Sequence, residues 1–188
     1  MKKIMFNDKF LLTKAVLNGT KIMTRRLLKE GTPLGNWEET AKCLPYKVGD
    51  IVAIAQPYKD IIECMAEYSD IMINVDGSIN REYKAGWTNK MLVKANLLPH
   101  HIKITDVRIE RLQDITEEDC LKEGIMHFIP ADDEECTEEG YGYLTSDGGL
   151  FMFDTPREAY ASLINKICGK DTWERNPWAE AYTFEKVD

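Results

Sequence analysis

No stretch of this sequence approaches the ~18 consecutive apolar residues that a membrane-spanning helix needs. The start, Met1-Lys2-Lys3-Ile4-Met5-Phe6, carries two lysines without a long apolar segment behind them, which does not fit a secretory signal. Histidine is scarce: His100, His101 and His127 are the three present. Adjacent histidines point to opposite sides of a strand and chelate poorly, so no metal site is expected. The five cysteines, Cys43, Cys64, Cys120, Cys136 and Cys168, are odd in number and form no CxxC pair. That spacing argues against a disulfide framework and a zinc cluster, and predicts reduced thiols in a cytoplasm. Repeats and low-complexity tracts are absent, and no cofactor is expected.

Basic charge is also in short supply. There are 24 Lys and Arg against 32 Asp and Glu, a net charge of −8, which excludes broad, sequence-blind binding to nucleic acid, because that rests on neutralising phosphates. The deficit is local. Between Glu117 and Glu139 lie ten acids and one base, Lys122. The rest of the chain is close to neutral and leaves room for a local basic site, while the acidic run reads as a solvated loop. The 188 residues are 44% hydrophobic and 30% charged, ordinary for one globular domain with its own core.

Periodicity places the elements. Residues 8–18 predict a helix ended by Asn18-Gly19, followed at once by a strand over 21–28. Residues 31–50, with Gly31, Pro33, Gly35, Pro45 and Gly49, read as loop. Ile51 to Ala55 is a buried strand, 58–68 a short helix, and Asp76-Gly77 a hairpin-type turn. In 102–112 the apolar residues change parity between Ile104 and Val107, which calls for an irregularity near Thr105-Asp106. Thr116 caps a short helix with Glu117, Glu118 and Asp119 in its first turn, and Gly124 ends it. Residues 127–153 read as an acidic, glycine-rich insertion in a single 1–188 domain. Thr155-Pro156-Arg157-Glu158 is a capping box opening a helix to Cys168, and Trp178 to Val187 alternates as a final strand. Few strands are separated by crossover-length helices, so an α+β fold with a mixed or antiparallel sheet, a small barrel with short flanking helices, is expected.

The densest polar cluster is Asn18-Gly19-Thr20-Lys21-Ile22-Met23-Thr24-Arg25-Arg26, just past a helix end. Arginine offers a rigid donor fork and lysine a point charge, so this segment suits a small anion or a nucleobase. Adjacent arginines face opposite sides of a strand, so one of Arg25 and Arg26 can look into a given pocket. Lys21 and Thr24 also have opposite parity and converge only if the turn bends the chain. Trp87, Trp173 and Trp178 read first as core or rim aromatics, though one beside Lys21 would suit a base. Trp87, flanked by Lys84, Lys90 and Lys94, is the one assigned to a ligand.

Gly19-Thr20-Lys21-x-x-Thr24-x-Arg26 after an N-terminal helix resembles the signature of ASCH domains, members of the PUA-like superfamily. Val48-Gly49-Asp50-Ile51-Val52, Ile104-Thr105-Asp106-Val107-Arg108, Leu112 to Asp119 and the segment around Asn176-Pro177-Trp178 resemble further family segments in the same order, the last in its phage and prophage branch. The resemblance implies a PUA-like β-barrel with a cleft beside the first helix, and a partner that is RNA or a modified nucleoside. One branch is similar to N4-acetylcytidine amidohydrolases. Carried over residue by residue, its lysine, threonine and glutamate fall on Lys21, Thr24 and Glu123. Three readings follow: a binding module with its cleft at Lys21, Thr24, Arg25 or Arg26, and Glu123; a small amidohydrolase using Lys21, Thr24 and Glu123; or an interaction protein of a mobile element, with its acidic segment as the contact surface.

Overall fold

The computed structural model describes residues 1–129 and 139–188. In chain order the elements are β1 (Lys2–Ile4), α1 (Leu12–Leu17), β2 (Met23–Leu27), α2 (Trp37–Cys43), β3 (Ile51–Ile54), α3 (Tyr58–Cys64), α4 (Ser69–Met72), β4 (His101–Arg111), α5 (Glu117–Lys122), β5 (Met126–Phe128), β6 (Gly140–Leu144), β7 (Leu150–Phe153), α6 (Pro156–Cys168), α7 (Thr172–Arg175) and β8 (Trp178–Lys186). Short 3-10 turns fill the gaps, most of them between residues 84 and 97. The α+β class holds, and five strands and three more form two sheets.

The chain divides into two compact units. One comprises Met1–Phe6, Ile51–Lys103 and Lys186–Asp188, and the other Asn7–Asp50 and Ile104–Glu185. In the first, β1 pairs parallel to β3, and β3 pairs antiparallel to the start of β4, Val52 facing Ile102. Its core gathers Ala53, Tyr58, Ile61, Met72, Tyr83, Val93 and Leu98. In the second, β2 and β8 are antiparallel, with Arg25 opposite Ala181 and Thr24 opposite Tyr182. Strand β4 runs through both units. Its buried residues are Ile102 and Ile104, then Val107, with Thr105 and Asp106 exposed between them, so the change of face falls where the sequence called for an irregularity.

The ladder order of the larger sheet is β1-β3-β4-β8-β2. Among the described residues β1 and β2 each pair on one side, so the sheet is open and the closed barrel expected from sequence does not form. The cause is the allocation of the chain. Residues 58–97 fold as short helices and turns, and β5, β6 and β7 pair with one another as a separate antiparallel sheet.

That second sheet takes in part of 127–153, the stretch that reads from sequence as an acidic, glycine-rich insertion, while residues 130–138 of it lie outside the described part. Tyr143 is buried and stacks on Phe151 at 5.2 Å and on Phe153 at 6.3 Å. Glycines at 140 and 142 mask the alternation in the sequence, yet these positions pair in register with the neighbouring strands. The α2 helix likewise emerges from the Gly/Pro-rich stretch, because the Asn36 side chain accepts the Glu38 N–H at 2.9 Å and caps it. The best-signalled helix, α6, starts as its capping box requires, Thr155 Oγ1 accepting the Glu158 N–H at 3.2 Å. Its buried stripe of Ala159, Tyr160, Leu163 and Ile164 packs on α5 and β6.

Candidate functional site

The chain reverses sharply after α1. Gly19 takes a positive φ of 77°, and the N–H groups of Thr20 and Lys21 both donate to Ala15 O at 2.9 and 3.0 Å. This turn delivers Lys21 to the start of β2. The Ile22 N–H then donates to Lys122 O at 3.0 Å, fixing the strand against the end of α5.

Alternation along β2 sorts the polar cluster onto two faces. Met23 and Arg25 share one, opposite Thr183 and Ala181. Thr24 and Arg26 share the other, opposite Tyr182 and Glu180. On that second face Tyr182 packs edge-on against Tyr46 at 5.5 Å, and the Arg26 guanidinium lies 6.0 Å from the Tyr46 ring centre.

The acids arrive on α5 and β4. Thr116 Oγ1 accepts the Asp119 N–H at 3.1 Å and sets the start of the helix. Asp119 and Glu123 are four residues apart and so lie on one side of it. Gly124 follows with φ 101°, and an added Cβ there would lie 3.3 Å from Leu12 and 3.6 Å from Lys21 Cδ. A glycine both ends the helix and leaves space for the lysine stem.

Lys21, Arg25 and Glu123 are 2%, 6% and 4% exposed. Lys21 Nζ donates to Glu123 Oε2 at 2.7 Å and to the Glu123 main-chain oxygen at 2.6 Å. Arg25 reaches three acids at once: Glu110 Oε1 from Nε at 2.7 Å, Asp119 Oδ2 from Nη2 at 2.9 Å, and Glu123 Oε1 from Nη1 at 3.2 Å. Arg108 Nη2 adds 3.1 Å to Asp119 Oδ2, and with its side chain 43% exposed it is the solvent-facing end of the network. Three cations and three carboxylates from three segments of the chain, 21–25, 108–110 and 119–123, therefore close on one another.

Burial lowers the Lys21 pKa from its ordinary value, and Arg25 and Arg26 push the same way; the Glu123 partnership opposes them without winning. Burial pushes the Asp119 carboxyl up, but hydrogen bonds from Arg25 and Arg108 prevail and hold it below the usual range. Arg25 stays firmly charged, because the carboxylates around it outweigh the cost of its burial. Burial pushes the Cys120 thiol up to about 12, so it packs as a small apolar group and is no nucleophile. The Tyr160 hydroxyl is buried without a hydrogen-bond partner among the described residues, and its pKa is raised well above the usual value by burial and by the Glu123 charge.

Of the residues singled out in the sequence, Lys21, Arg25 and Glu123 come together. Thr24 and Arg26 take the opposite face of β2, and Trp87 belongs to the first unit, half-buried against its apolar cluster. Sequence reasoning missed Glu110, Asp119, Arg108 and Tyr160. Asp119 was visible only as an acid favoured by a helix start, and nothing in the sequence singled out Glu110. Among the described residues no group of three His, Cys, Asp or Glu could hold a metal, and no helix is long and apolar enough to cross a membrane.

No known family's sequence profile matches the chain, and no curated protein matches it. Among solved structures the chain is similar to the high-resolution crystal structure of an ASCH domain from Lactobacillus crispatus JV V101. The two are 12% identical with a TM-score of 0.38, over 96% of this chain and 75% of that one.

Proposed function

We propose that this chain is an ASCH-like protein that binds RNA or a modified nucleoside, with its recognition site around the buried Lys21–Arg25–Glu123 network. One observation supports the reading above the others: an ion-paired lysine and glutamate, 102 residues apart, lie 2.7 Å from each other in the interior. A buried ionic set rarely stabilises a fold more than apolar packing of the same volume would. Its presence here is accounted for by recognition. A ligand approaches at Arg108, whose exposed guanidinium shares Asp119 with Arg25, and an anionic or base-edge acceptor competes with Asp119 for those donors.

Binding is favoured over hydrolysis because Thr24, the hydroxyl the hydrolytic scheme needs, faces away from Lys21 across β2. The hydrolase reading keeps one specific support, an amine with a lowered pKa touching a carboxylate, as general acid–base work requires. In that scheme water and N4-acetylcytidine give cytidine and acetate.

Filter binding of a single-stranded RNA across a salt series, run beside a chromatographic assay for cytidine release from N4-acetylcytidine, tests both. Binding predicts retention that weakens with salt along a shallow slope, is lost in a folded Lys21→Met variant, and comes without turnover. Turnover lost in both Lys21→Met and Thr24→Val would replace the binding reading with the enzymatic one. Protein that neither retains RNA nor turns over the nucleoside refutes both.

A further inference from the structure

A hollow opens in the same unit as the ionic network, lined by Leu34, Trp37, Thr40, Ile109 and Trp178, with a volume of about 300 Å³. It lies at the lower end of the range for small-molecule pockets, where one flat ring system fits. We infer that this hollow is a stacking site for a single nucleobase. The inference deepens the RNA and nucleoside reading and relies on it only for the polymer, since a free base tests the hollow by itself.

The walls are built for a flat guest. Trp37 is the first residue of α2 and is 54% exposed, a large indole face left in solvent although burying it would be strongly favourable. Its helix is anchored beneath it by Thr40, which is 3% exposed and donates to Asn36 O at 3.0 Å and to Pro33 O. Trp178, at the start of β8, is held at the main chain by the Leu28 N–H, which donates to its carbonyl at 2.9 Å. The Arg111 guanidinium lies 4.5 Å from the Trp178 ring centre and is itself fixed by donation to Asn176 O at 3.1 Å. Ile109, two residues back along β4 and so on the same side as Arg111, supplies the aliphatic floor.

Charge next to the lining residues narrows the ligand class. Arg111 provides a cation beside the aromatic wall, suited to the sugar-phosphate that accompanies a base. Glu38 and Glu39 follow Trp37 in the first turn of α2, and they disfavour a guest whose ring is itself anionic. An uncharged heterocycle carrying a phosphate at one edge meets both conditions. Indole faces, a rigid guanidinium and no base-specific hydrogen-bond set describe a stacking platform that accepts any base.

The four tryptophans separate the possible outcomes. In the ¹H–¹⁵N spectrum of the whole protein each indole N–H gives one resonance, assigned by Trp37→Phe and Trp178→Phe. Titration with adenosine, and separately with a 12-nucleotide single-stranded RNA, should shift and saturate the Trp37 and Trp178 resonances and leave Trp87 and Trp173 in place. Trp37→Ala, at an exposed position with its fold checked by circular dichroism, should weaken binding of either probe at least about tenfold, as removal of a stacking aromatic does. The proposal is overturned if both probes leave Trp37 and Trp178 unmoved, or if Trp37→Ala binds as the wild type does. It is equally overturned if those two resonances move with protein concentration alone, which would assign the hollow to a second copy of the chain. RNA retained through Lys21 with Trp37 and Trp178 unmoved sinks the stacking site and spares the functional reading. Adenosine bound at the hollow with no RNA retained does the reverse.

Discussion

Replacing Lys21 with methionine keeps the aliphatic stem and removes the ammonium group. Two buried hydrogen bonds disappear, to Glu123 Oε2 at 2.7 Å and to the Glu123 main-chain oxygen at 2.6 Å. Breaking a buried ion pair by deleting one partner costs about 3–5 kcal/mol, because the surviving charge is left without compensation. Here Arg25 still holds Glu123 Oε1 at 3.2 Å, so the cost belongs at the lower end, about 3 kcal/mol. With a urea m-value of about 2 kcal/mol/M, the unfolding midpoint falls by about 1.5 M. The double variant Lys21→Met/Glu123→Gln removes both charges, and it should cost less than the two single variants together by about 2 kcal/mol, a coupling in the range measured for contacting residues. Urea titrations followed by circular dichroism at neutral pH supply all four corners of the cycle. Strictly additive costs, or a Lys21→Met midpoint within about 0.3 M of wild type, roughly 0.6 kcal/mol on the same slope, would refute the pair as drawn.

The same network carries a pH signature of known sign. Since the folded Asp119 carboxyl titrates below its unfolded counterpart, its contribution is complete above the unfolded value of about 3.9 and is lost as pH falls through the folded one. Asp119→Asn should therefore flatten the acid limb of stability against pH in thermal melts, and an unchanged limb would remove Asp119 from that role. Lys21 acts at the other end: its folded pKa is lowered, so the unfolded chain holds the extra proton below about 10.4, and stability rises with pH across that window. Lys21→Met should abolish the rise. Gly124→Ala puts a side chain at φ 101° and 3.3 Å from Leu12, for a cost of about 1–3 kcal/mol read from the melting temperature. Thr116→Ala should cost about 1 kcal/mol through the lost cap of α5, and a neutral result would show that the Asp119 bond is not what starts the helix.

Local signals in the chain determined what depends on a few neighbours. The capping box at Thr155, the Thr116 cap with its acidic turn, the apolar run at Ile51 and the alternation after Trp178 each appear as the element expected, because helix starts and strand faces are set within a handful of residues. Parity alone said that Arg25 and Arg26 would part company, and that Lys21 and Thr24 would too. The resemblance to ASCH motifs brought Lys21 and Glu123 into one hypothesis across 102 residues. Which arginine turns inward was a matter of register and packing: Arg25 lies opposite Ala181 on the side where α5 docks, and that docking brings Asp119 and Glu123 onto it beside Glu110 of β4. The failure to close a barrel, and the strands hidden at 140–153, have the same origin. A strand is stabilised by the partner it pairs with, and tyrosines alternating with glycines carry no periodic signal until Phe151 and Phe153 come to lie against Tyr143. Short-range chemistry thus fixed the pieces and their faces, while the meeting of distant charges in a low-dielectric interior was decided only when the chain had packed.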